Sequence, residues 1–178
     1  MEQQILQEEK KPNALAFKVA LGFALYTLAM IYIFKLIGID TTSADIPVFN
    51  KIIVFVLSYG IFILAIYFTQ ATHKKELGDY ITYGRAFSTG FKVAAYAGLF
   101  IGILYAIYFK VLDASAIDKI ADAAIEKAGD NEQQIKGIET MKPYMWIFAT
   151  FTAAISYTVF GLIVSLITSL VLKKERKF

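Results

Sequence analysis

His73 is the only histidine in the chain, and with Glu76 and Asp79 it forms the nearest approach to a metal-ligating cluster. A zinc site needs three or four converging ligands, usually imidazoles and thiolates. One histidine and two carboxylates in a lysine-containing run fall short, so we expect no metal and read His73 as a residue of an interfacial loop. Asp118, Asp122 and Glu126 form an acidic row at i, i+4 and i+8, whose weak mutual repulsion a divalent cation could relieve. A solvated helix face accounts for the same row without a ligand, and we adopt that reading. The chain has no cysteine, which excludes disulfides, thiolate nucleophiles and cysteine-ligated metals. It has no phosphate-binding loop, dinucleotide fingerprint, zinc-protease helix or nucleophile elbow. No catalytic residue and no cofactor site can be assigned, and the expectation is a protein that is not an enzyme.

The lysines placed inside apolar blocks are the remaining chemical candidates. Lys18 and Lys35 are 17 residues apart, and Lys92 and Lys110 are 18 apart. On a helix these separations come to about 26–27 Å, close to the roughly 30 Å of bilayer hydrocarbon. Each pair therefore brackets the slab, with the long stems carrying the ammonium groups to its two faces. The competing reading, a buried proton or ion relay, has no acid, base or histidine near any helix midpoint to work with. Trp146 joins these four lysines as an interface anchor, within a belt that includes Tyr67, Tyr80, Tyr83, Tyr108 and Tyr144.

The elements that carry these residues follow from composition. The chain is 57% hydrophobic and 19% charged, against about 45–50% and about 25% for soluble domains. The excess lies in four blocks of about 20 residues or more, roughly 14–39, 52–71, 86–112 and 145–172. We expect an all-α membrane protein, a single domain built as a four-transmembrane-helix bundle. Between the third and fourth crossings, residues 113–144 form an acidic segment with Ile117, Ile120, Ala121, Ala124 and Ile125 at helical spacing. It is expected to be an extracytoplasmic amphipathic segment that caps the bundle, with Ser115 as an N-cap, Gly129 as a stop, and a second short helix from about 131 to 142. Lysine and arginine gather at the other side, in Lys10, Lys11, Lys74, Lys75, Arg85, Lys173, Lys174, Arg176 and Lys177. The positive-inside rule then puts both termini in the cytoplasm. Glu2, Glu8 and Glu9 argue against a secretory signal, so the first block reads as an uncleaved anchor despite the cleavage-like Thr42-Ser43-Ala44. A net charge of +3 without a basic module gives no support for nucleic-acid binding.

The most regular pattern is in the third block, where Ala86, Gly90, Ala94, Gly98, Gly102 and Ala106 recur at every fourth position. Small residues let helix backbones approach in lipid. This row can pack within one bundle, contact a second copy, or line a substrate path. The fourth block offers a matching small face in Ala154, Thr158, Gly161, Ser165 and Ser169, and we expect the two faces to meet. The partners expected are the lipid bilayer and either a second copy or another membrane protein.

Three stretches together resemble a known family: Tyr83-Gly-Arg-Ala-Phe-Ser-Thr-Gly-Phe-Lys92, Glu126-Lys-Ala-Gly-Asp-Asn-Glu-Gln-Gln-Ile135 with Glu139-Thr-Met-Lys-Pro143, and Gly161 to Lys174. In this order they are similar to the bacterial membrane family catalogued as domain of unknown function 4199. The resemblance implies a four-crossing bacterial membrane protein without an assigned activity and supplies no site residues; the localisation expected for the chain is the bacterial inner membrane. On the residues themselves, the first expectation is an accessory, scaffold or assembly subunit. The alternative is a small transporter or channel working as an oligomer, with Ser156, Tyr157 and Thr158 near the membrane centre.

Overall fold

The computed structural model describes residues 11–39 and 46–175. The acidic N-terminal stretch with Lys10, the Thr42–Ala44 triplet, Arg176 and Lys177 lie outside the described residues. Among the described residues six helices account for the fold: α1 (Asn13–Leu36), α2 (Val48–Glu76), α3 (Tyr83–Leu112), α4 (Ser115–Ala128), α5 (Glu132–Met141) and α6 (Met145–Leu172). Four of these, α1, α2, α3 and α6, are long and apolar enough to cross a membrane. Among the described residues the chain is all-helical apart from one isolated bridge, so this is an all-α membrane protein.

The helix ends follow local chemistry. Pro47 immediately precedes α2, where a missing N–H costs nothing. After Gly60 no glycine or proline follows until Gly78, so α2 runs past its apolar block and carries Lys74 and Lys75 in its last turn, cations that suit a helix C-terminus. Gly78 (φ +77°) and Asp79 (φ +66°) then take left-handed conformations in succession, and the Asp79 N–H returns to the Lys74 carbonyl. This turn is pinned to the end of α6, since Ile81 and Lys174 exchange backbone hydrogen bonds of 3.0 and 2.9 Å. The expected interfacial loop from Thr72 is therefore mostly helix, and His73 is fully buried in it rather than lying in a loop.

α3 is the central helix, packed on α6 over the greatest length, then on α1 and α2. Ala16, Ala20 and Ala24 of α1 are buried at four-residue spacing and join Val93, Ala94, Ala97 and Ile101 of α3 in one core. Rings fill the bundle between α1, α2 and α6. Phe23 stacks on Phe62 at 4.6 Å, Tyr59 stacks on Tyr157 at 5.3 Å, and Phe23 meets Tyr157 edge-on at 5.6 Å. A π turn at Val56–Gly60 interrupts α2 beside these rings, and the Leu57 carbonyl within it accepts the Tyr26 hydroxyl at 3.1 Å. Such turns release carbonyls from the regular ladder.

At the opposite end from the termini, a second π turn closes α3 and buries Tyr108 and Phe109. Ala116, Ile117 and Ile120 of α4 pack on those two rings, so the apolar stripe of α4 does lie against the bundle. α5 starts on Asn131, whose side chain accepts the Gln134 N–H at 3.1 Å. α4 stops at Gly129 in the left-handed region (φ +56°). Its start differs from the expected cap. The N-cap position falls on Ala114, so Ser115 is already helical, and its hydroxyl donates to Asp113 Oδ1 at 2.6 Å.

Asp113 ties α4 to α1. Its carboxylate accepts from Lys35 Nζ at 2.8 Å, from Ser115, and from the Tyr108 hydroxyl at 3.2 Å. The Lys35 hydrogen bond first, and the Ser115 one second, hold the Asp113 pKa down to about 2 from 3.8. A depressed carboxyl pKa stabilises the fold in full above 3.8, and this contribution is lost as pH falls through about 2. Because Lys35 stays half-exposed, solvent and salt weaken the pair. We expect Asp113→Asn to melt below the wild type near neutral pH in detergent. That gap should close as pH falls from 3.8 through about 2, and a gap independent of pH would exclude the carboxylate as its cause.

Candidate functional site

Inside an apolar bundle the groups able to act are those that bring backbones together or carry hydrogen bonds, and both kinds converge on the α3–α6 seam. The row from Ala86 to Ala106 does not behave as one surface. Ala86 sits at the turn with Leu77 and Ile81. Gly90 lies beneath Gln70 of α2 and Ser165 of α6. Gly98 lies beneath Thr158, so close that a Cβ there would overlap the Thr158 hydroxyl and come within 2.8 Å of the Ala154 carbonyl. From α6, Gly161 presses on Ala94 and on the Phe62 ring, which stands 3.0 Å from where a Cβ on Gly161 would be. Gly102 is looser, with the Ala154 methyl 3.4 Å from where its Cβ would be, and Ala106 is only half-buried. The structure thus brings Gly98, Gly102, Ala154 and Thr158 together, and separately Gly90, Ala94, Gly161 and Ser165.

Hydroxyls on the seam mostly serve their own helices. Thr158 donates to the Ala154 carbonyl at 2.8 Å, and Ser165 to Gly161 at 2.6 Å. Thr69 and Thr89 do the same on α2 and α3. The bridge between helices comes from a residue that the small-residue pattern does not contain. Gln70 is fully buried, and its amide nitrogen faces the Ala86 carbonyl at 3.0 Å, the Ser165 carbonyl at 3.3 Å and the Ser169 hydroxyl at 3.0 Å. The two carbonyls fix the amide orientation, since a flipped side chain would set oxygen against oxygen. Gln70 therefore links α2, α3 and α6 at one point. One turn further on, His73 Nδ1 lies 3.4 Å from the Glu76 carboxylate. Gln70 Oε1 and His73 Nε2 are buried without a partner among the described residues. A lone glutamine within an apolar block was the sequence signal for this cluster, and the buried alanines of α1 were signalled by the same four-residue spacing as α3.

The anchors take separate positions. Lys18 is exposed on α1, Lys92 is half-buried on α3, Lys35 pairs with Asp113, and Lys110 Nζ stands 4.5 Å from the centroid of the Trp146 ring. Lys142 reaches across to Asp118 at 2.8 Å, which gives one member of the acidic row a cation from the chain itself. Among the described residues no group of three or more histidine, cysteine or acidic side chains is placed to hold a metal ion.

Compared with known proteins, residues 18–174 match the model of the family described as Protein of unknown function (DUF4199). No curated protein matches the chain, and no solved structure matches it.

The seam yields a contrast between neighbouring glycines. Gly98→Ala must displace Thr158 or the α6 backbone and should cost about 1–3 kcal/mol, the usual range for overpacking. Gly102→Ala meets only ordinary contacts, and its gain in helix propensity of about 1 kcal/mol should leave stability unchanged or raised. Unfolding in mixed detergent micelles measures both, and equal effects would show that close approach at Gly98 is not what holds the seam. By the same measurement Gln70→Leu should destabilise by about 1–2 kcal/mol, from bonds worth about 0.6 kcal/mol each in membranes.

Proposed function

We propose, on the premise that the chain belongs to the DUF4199 family, that it is a non-enzymatic integral membrane protein serving as an accessory, scaffold or assembly subunit. The observation that carries this reading is the filled interior of the bundle. Where a permeation route would pass between α1, α2 and α6, the rings of Phe23, Tyr59, Phe62 and Tyr157 occupy the space at contact distances. Rings at 4.6–5.6 Å leave no room for a hydrated ion. The three polar side chains that favour a transporter diverge. Ser156 is on the exposed outer flank, Tyr157 is in the ring cluster, and Thr158 bonds back to its own helix. Among the described residues the buried polar side chains of the spans are hydroxyls, one amide and one imidazole, and the pair His73–Glu76 sits at the end of α2, away from any helix midpoint where intramembrane acid–base chemistry would need it.

The placement we propose is the inner membrane of a bacterium with both termini cytoplasmic. It is supported by Lys11, Lys74, Lys75, Arg85, Lys173 and Lys174, which all sit at one end of the bundle, while α4 and α5 sit at the other. Reporter fusions at the two termini should both read as cytoplasmic.

The function is tested by reconstitution and capture. Liposomes containing the protein should show no flux above empty liposomes for a panel of ions and small solutes. Purification in mild detergent should retain a defined membrane-protein partner at fixed stoichiometry. Solute flux that saturates with concentration would replace this reading with the transporter.

A further inference from the structure

On the half of the membrane nearest α4 and α5, the α3–α6 seam opens into a groove of about 620 Å³ on the flank of the bundle. That volume is within the range of small-molecule sites, and the lining is almost wholly apolar. The small residues Gly102, Ala106 and Ala154 leave the depression, and the exposed side chains of Ile103, Phe151 and Ile155 stand around it. Along α6 the groove runs from Trp146 to Val159, about 20 Å, and along α3 from Ala106 to Gly98, about 12 Å. One leaflet of hydrocarbon is about 15 Å deep. The groove therefore starts at one interface and stops near the midplane.

Its length selects the occupant. A transmembrane helix docking on small residues needs the row open across the membrane, but Gly90, Ala94 and Gly98 are already buried under α2 and α6. An acyl chain of a single leaflet needs only what is open. The mouth of the groove adds a charge. Trp146 lines it, Lys110 Nζ stands over the Trp146 ring, and no carboxylate pairs with Lys110 among the described residues. An ammonium at head-group depth complements a lipid phosphate, and the indole N–H is one further donor.

We propose that this groove binds one anionic phospholipid from the leaflet on the α4–α5 side, with an acyl chain along Ala106, Gly102 and Ala154 and the head-group phosphate on Lys110. The site stands independently of the accessory role, since a transporter or a scaffold could equally carry it.

Trp146 is the only tryptophan, so its fluorescence reports on the groove. The full chain is reconstituted into phosphatidylcholine vesicles containing either phosphatidylglycerol or phosphatidylcholine with brominated acyl chains, which quench indole on contact. Brominated phosphatidylglycerol should reach half-quenching at about fivefold lower mole fraction, the preference one ammonium near the surface confers. Lys110→Gln, at an exposed position, should equalise the two lipids. Ala106→Leu, which fills the groove, should reduce quenching by both. Equal quenching in the wild type would overturn the proposal in favour of ordinary boundary lipid. A preference that survives Lys110→Gln, or quenching unchanged by Ala106→Leu in a folded protein, would place the lipid elsewhere. Protection of Trp146 from both lipids together with a dimeric mass would assign the groove to a second copy.

Discussion

Helices in hydrocarbon gain little by burying apolar side chains against one another, so their association depends on how closely backbones can come. In this bundle that constraint is met at Gly98, where α6 comes down onto the bare backbone of α3 and a methyl group would overlap Thr158. The remaining contacts follow from that approach. Once α6 is seated, Gly161 lies over Ala94 and against Phe62 of α2. The alanine edge of α1 then closes the other side of α3.

A second constraint is that polar groups in lipid must find partners within the protein. Thr69, Thr89, Thr158 and Ser165 meet it locally, each returning a hydrogen to the carbonyl four residues earlier, and so contribute little to the joining of helices. Gln70 cannot do this, because its amide carries two donors on a longer side chain. It reaches α3 and α6 instead, and Gly90 leaves the space in which it does so. The seam is thus held by close approach near its middle and by a directional polar link at the end nearer the termini. Toward α4 and α5 the contact loosens at Gly102 and Ala106, and the groove lies along that part of the seam.

Much of the architecture was legible in the residues. Four apolar blocks of membrane-spanning length mark four helices, since no other element closes its own backbone hydrogen bonds in so short a stretch. The small row on α3 was visible because spacing of four returns to one face of a helix. The apolar stripe of α4 showed which side would meet the bundle, and Gly129 showed where that helix stops. His73 was misplaced, because its charged neighbours suggest a loop whereas only Gly78 carries the conformation that ends the helix. Ser115 was misread as a cap, since the helix begins one residue earlier than expected and places Ser115 inside its first turn.

By itself, the sequence determined that the chain crosses a membrane as four helices and which face of α3 is bare, because hydropathy and periodicity are properties of single segments. Tertiary structure decided how that bare face is divided. Gly90 receives a glutamine from α2, Gly98 receives α6, and Gly102 with Ala106 are left open to lipid, although the six positions look alike along the chain. The reason is geometric: two helices crossing at an angle touch closely over only part of their length. Which third of a uniform row is closed, bridged or open depends on where the crossing point falls, and that point is set by the partner helices together.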